Sequence, residues 1–176
     1  MIEIVNPDFP RGPFRAAVFD FDGTLSLLRR NWQDVMIPMM VEILAATGTS
    51  ETGEQLREVV EDFVVRLTGK QTIYQMMRLA EEMKARGGEP LEPLAYKHQY
   101  HDLLWAQVEG RVKAVREGRV APDEMMVPGS RELLDSLRAR SLPIYLASGT
   151  DLKYVQDEAA LLELDSYFGP HIYAAL

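Results

Sequence analysis

Two acids stand one residue apart at the end of an apolar run in AVFDFDGTLS, residues 17–26. In an extended segment, residues two apart point to the same side, so the Asp20 and Asp22 carboxylates can converge on one site. Like charges that close are costly to ionise together without a cation or a shared proton. A hard divalent cation such as Mg²⁺, which takes oxygen ligands, meets that need. Gly23 permits a tight turn, and the backbone N–H groups that follow it, from Thr24 on, can hold an anion. Taken alone, the same spacing reads as an Asx-turn closing a strand, with two solvated acids.

A second segment adds the complementary chemistry. The apolar run LPIYLA ends in Ser148-Gly149-Thr150, and Asp151 follows as a helix cap. A hydroxyl and backbone N–H groups at a helix start form an anion site. By itself this is a routine strand-to-helix connection. Side by side, the two strand ends offer acids from one and phosphate-binding donors, Ser148 and Gly149, from the other.

The elements that must position these residues follow from the pattern. Asn6 to Pro13, NPDFPRGP, carries three prolines and a glycine and reads as an extended arm or linker. Residues 14–19 form a short strand, apolar enough to be buried on both faces as parallel strands are. Four helices are expected next. The first runs from an Asn31 cap to about Thr47, the second over 51–67, the third over 73–86 and the fourth over 93–117. Methionines 36, 39, 40, 76, 77 and 83 read as the core of this helical part. After Pro128-Gly129 a helix to about Arg140, a strand over 142–147, a helix to about Leu164 and a strand over 171–174 complete the order. The outer parts are therefore an α/β unit with three parallel strands. The insertion between its first two strands is about a hundred residues, too long for an ordinary crossover. The expected division is an arm over 1–13, an α/β core over 14–28 and 122–176, and a helical cap over 29–121. The cap should lie over the carboxyl ends of the strands, where such sheets carry ligands.

Composition narrows the function classes. A formal charge of −8 argues against a nucleic-acid partner or an anionic membrane surface. With no cysteine there is no disulfide framework, thiolate zinc site or thiol nucleophile. No signal-peptide pattern opens the sequence and no apolar stretch is long enough to span a membrane. A soluble, cytoplasmic protein is expected.

DFDGTL followed by PGSRELLDSLRARSLPIYLASGT resembles motifs I and II of the haloacid dehalogenase superfamily, and the helical insertion resembles its helical cap. The resemblance implies a Rossmann-like parallel sheet, Asp20 as nucleophile forming an aspartyl-phosphate, and Asp22 as general acid/base. It also implies Mg²⁺ on the Asp20 carboxylate and the Asp22 backbone carbonyl, with Ser148, assisted by Gly149, on the phosphoryl group. An acid two residues after the nucleophile favours phosphoryl transfer, because an alkoxide leaving group needs a proton and a halide does not. The substrate expected is a small phosphorylated metabolite. A phosphomutase of the β-phosphoglucomutase type and a non-catalytic phospholigand-binding module are the alternatives. GKQTIYQM and NWQDVMIPMMVEIL are also similar to HAD-type domains attached to ribokinase-like sugar kinases, which would suggest a sugar phosphate.

In the cap, Lys70, Gln71 and Thr72 lie between two helices and resemble by position a substrate-specificity loop. A solvated Lys after a Gly-terminated helix is the equal reading. Arg29, Arg30 and Asn31 read as exposed residues at a helix start, and His98, His101 and Asp102 as a polar helix face. The superfamily's motif III lysine and motif IV acids would follow the third strand, and the sequence has no Lys or acid after Asp165. The expectation is therefore a core holding its first three strands, with one side of strand one open. Such an edge invites self-association, or pairing with a C-terminal half or a partner domain. The fragment alone is expected to be weakly active or inactive.

Overall fold

The structure is a computed structural model that describes residues 5, 6, 8 and 12–175. Most of the expected arm, residues 1–13, lies outside the described residues. Three parallel strands form one sheet in the order β1 (Ala17–Phe19), β2 (Ile144–Asp151), β3 (Ile172–Ala175). This is the α/β core that the pattern predicts.

Strand β1 is three residues long rather than six, and it is not buried on both faces: Phe14 is 72% and Val18 68% exposed. The register explains the difference. Val18 pairs with Tyr145 and Ala147 with Tyr173, so these four share one face of the sheet. Among the described residues no helix covers that face. The opposite face carries Phe19, Ile144, Leu146 and Ile172 against α6 (Leu152–Leu161) and α7 (Asp165–Phe168). Hydropathy marks a residue as able to be buried; only tertiary packing decides whether it is.

Between β1 and β2 lie α1 (Gln33–Ala45), α2 (Gly53–Leu67), α3 (Thr72–Ala85) and α4 (Pro93–Arg116). Helix α1 starts one residue later than expected. Asn31 has φ +67° and stands outside it, and Trp32 takes the cap position. Thr52 caps α2 reciprocally with Gln55, satisfying two N–H groups that a helix start leaves unpaired. Helix α4 buries Tyr96, Tyr100, Leu104, Val108 and Val112 as one row at four-residue spacing. Leu94 and Leu103 of the same helix are exposed, as is Met77 of α3, which the pattern placed in the core.

The two crossings between core and cap run side by side. Ser26 bridges antiparallel to Met126, and the Leu27 N–H donates to the Met125 carbonyl at 2.8 Å. Arg111 of α4 adds a bond of 2.7 Å to the Leu28 carbonyl. A 3₁₀ turn (Pro122–Met125) and α5 (Ser130–Ala139) then return the chain to the core.

Candidate active site

Asp20 and Asp22 follow β1, and Gly23 turns the chain with φ +81°. The N–H groups after the acids are engaged: Gly23 donates to the Ser26 carbonyl at 2.8 Å, and Thr24 to that of Phe21 at 3.3 Å. Thr24 therefore offers its hydroxyl rather than its N–H, and that hydroxyl lies 3.4 Å from Asp20 Oδ2. Strand β2 runs on to Asp151, so Ser148, Gly149 and Thr150 sit in an irregular strand extension instead of the expected turn. The Thr150 hydroxyl donates to Asp22 Oδ2 at 2.8 Å, tying the two segments together across 128 positions of sequence. Ser148 Oγ accepts from the Thr150 N–H at 3.1 Å.

The two acids differ in environment. Asp20 is exposed, whereas Asp22 Oδ1 is buried without a hydrogen-bond partner. Burial pushes the Asp22 carboxyl up to about 6; Arg29 and the Thr150 hydroxyl pull it down, and Glu158 and Asp20 push it further up. An orphaned, buried carboxylate oxygen with a second acid nearby calls for a proton or a cation. Among the described residues no cluster of three or more His, Cys, Asp or Glu forms a metal cage. The Asp20 carboxylate with a backbone carbonyl still suits Mg²⁺, which is commonly held by one or two carboxylates and keeps several waters.

Arg29 is the residue that sequence reasoning misplaced. It is 7% exposed and forms a fork with Glu158, with bonds of 2.9, 3.1 and 2.6 Å. Burial alone would lower its pKa, but Glu158 overrides that and the net shift is upward. The Arg29 guanidinium also lies 5.4 Å from the centroid of Tyr154. No local pattern announces a partner 129 positions away.

These groups border a cavity of about 530 Å³ between core and cap. Its core side includes Asp20, Asp22, Ser148, Gly149 and Thr150, and its cap side includes Lys70, Thr72 and Trp32. Gln71 is not on the wall; it precedes α3, with its Cα toward Gly149. His98, His101 and Asp102, expected on a plain polar face, line the cavity. The signal was their position in the middle of a long cap helix, but spacing alone did not say which face meets the core.

Comparison with known proteins agrees with this architecture. A HAD family hydrolase from Deinococcus radiodurans R1, solved with bound phosphate and sodium, is 20% identical with a TM-score of 0.41. The match covers 92% of this chain and 58% of that one. A HAD hydrolase of family IA, variant 3, from Entamoeba histolytica is 16% identical with a TM-score of 0.50, covering 92% and 61%. A predicted phosphoglycolate phosphatase from Haemophilus somnus 129pt is 16% identical with a TM-score of 0.48, covering 92% and 62%. The chain thus spans about six-tenths of these structures, and at such identity the Entamoeba likeness shows a shared fold. No curated protein matches the chain. The family model described as haloacid dehalogenase-like hydrolase matches residues 14–176, and the chain belongs to that family of hydrolases.

Proposed function

We propose that the chain acts as a phosphomonoesterase on a small phosphorylated metabolite. The observation that carries this reading is the split between two neighbouring acids, one exposed and one buried with its carboxyl raised to about 6. Neighbouring carboxyls in unlike environments suit a nucleophile and an acid/base. An Asp20 carboxylate oxygen attacks phosphorus as the P–O ester bond breaks, and the leaving alkoxide takes the Asp22 proton. Asp22, now a carboxylate, takes a proton from water as the water oxygen attacks phosphorus, which frees Asp20 and releases phosphate. Ser148 stands on the same core wall as the two acids, where its hydroxyl and the Gly149 N–H are the donors for phosphoryl oxygens. Mg²⁺ would be held by the Asp20 carboxylate and the Asp22 backbone carbonyl and would supply charge neutralisation for the phosphoryl group.

A cavity of about 530 Å³ matches small ligands. The test is phosphate release from a panel of small phosphomonoesters, with Mg²⁺ and with excess chelator. Release that requires Mg²⁺ is expected; a panel left intact under both conditions overturns the proposal.

A further inference from the structure

Contacts from cap to core around the cavity converge on one short segment. The turn before α3 lies backbone to backbone against Gly149. A Cβ on Gly149 would stand 2.7 Å from the Lys70 carbonyl oxygen, 3.3 Å from its carbon and 3.5 Å from Gln71 Cα. The Gly149 φ lies outside the left-handed region, so glycine is required here for space rather than for conformation. Two residues on, the Asp151 carboxylate pairs with Lys97 of α4. Three residues further, the Tyr154 ring stacks on His101, centroid to centroid 4.7 Å at 28°. His101 lies one turn after Lys97 and is stacked in turn against Trp105 at 6.3 Å and 7°.

We propose that Gly149–Tyr154 is the seat on which the cap closes, with Gly149, Lys97 and His101 as positioning residues for the reaction. The inference rests on the proposed function in one respect: the seat begins beside Ser148, so phosphoryl binding and cap seating share one stretch of backbone. Any coupling between the two acts on both by the same factor. Lys97 lines the cavity and makes this contact there, with its charge matched by Asp151. Lys70 contributes through its backbone at the seat and through its side chain at the cavity wall.

The chain holds two tryptophans, Trp32 on the cavity wall and Trp105 on the His101 stack, so intrinsic fluorescence reads the seat directly. Acrylamide quenching is measured on the full chain, with and without inorganic phosphate and Mg²⁺. The variants are Gly149→Ala, Lys97→Asp, Asp151→Lys and the double exchange, with circular dichroism as the folding control. Quenching should rise in each single variant and return toward wild type in the double exchange. KM for a phosphomonoester should rise about tenfold in Gly149→Ala with a smaller change in kcat. Wild-type quenching in the single variants overturns the seat, as does a double exchange that quenches like the singles. If Gly149→Ala does not fold, the charge exchange carries the test. Quenching that follows the expected pattern while no ester is hydrolysed leaves the seat standing and removes the phosphatase reading.

Discussion

The cap and the core hide their apolar residues to different degrees. The cap is a closed four-helix unit in which Met40, Leu44, Val60, Val64, Met76, Leu79 and Val108 are fully buried. The core sheet is buried on one face and open on the other, where Tyr145, His171 and Tyr173 lie near each other and Tyr173 is 55% exposed. Parallel sheets are ordinarily covered on both faces. Packing strength is therefore concentrated in the cap, on the α6 side of the sheet, and at the junction where Arg29 meets Glu158. The candidate site lies at that junction, so its geometry depends on contacts between the two parts more than on the sheet itself.

The junction should show the largest stability effect. Arg29→Met leaves Glu158 buried and unpaired and is expected to cost about 3–5 kcal/mol in urea unfolding. A loss below about 1 kcal/mol would place the strength of the molecule elsewhere. Next, Met40→Ala in the cap core should cost about 2–5 kcal/mol. Val18→Ala on the open face, where the side chain is 68% exposed, should stay within about 0.5 kcal/mol. Equal losses at the two positions would erase the contrast between the regions.

Asp22 should show an effect of opposite sign. Its folded pKa lies above its ordinary 3.8, at about 6, so the folded state binds the proton more tightly than the unfolded one. Metal-free stability should therefore fall as pH rises from about 4 to about 6, by up to about 2 kcal/mol. Asp22→Asn should remove that slope and stabilise the metal-free protein at neutral pH. A slope that persists in the variant would assign it to another group.

The acids of the site were legible because an apolar run ending in Asp-x-Asp is a local pattern, and so was Ser148 at the end of a second run. The helices were legible from periodicity, and the four-residue row of α4 is the clearest case. Arg29 and Glu158 were not, because a buried pair between distant segments leaves no spacing to read. His98 and His101 were visible as residues but not as cavity wall, since a helix with two contact faces has no single polar side. Gly149 read as a helper of phosphate binding, and its tight contact with the Lys70 backbone emerged only from tertiary packing. The open sheet face escaped for the reason already seen at Val18: apolar character does not say what will cover it.

The central claim concerns Asp20, the exposed partner of the pair. The most direct test is Mg²⁺-dependent hydrolysis of p-nitrophenyl phosphate by the wild-type chain and by Asp20→Asn, with circular dichroism showing both folded. Turnover by the wild type and its loss, by about a thousandfold or more, in Asp20→Asn is the expected result. Equal turnover by the two proteins would contradict a nucleophilic role for Asp20.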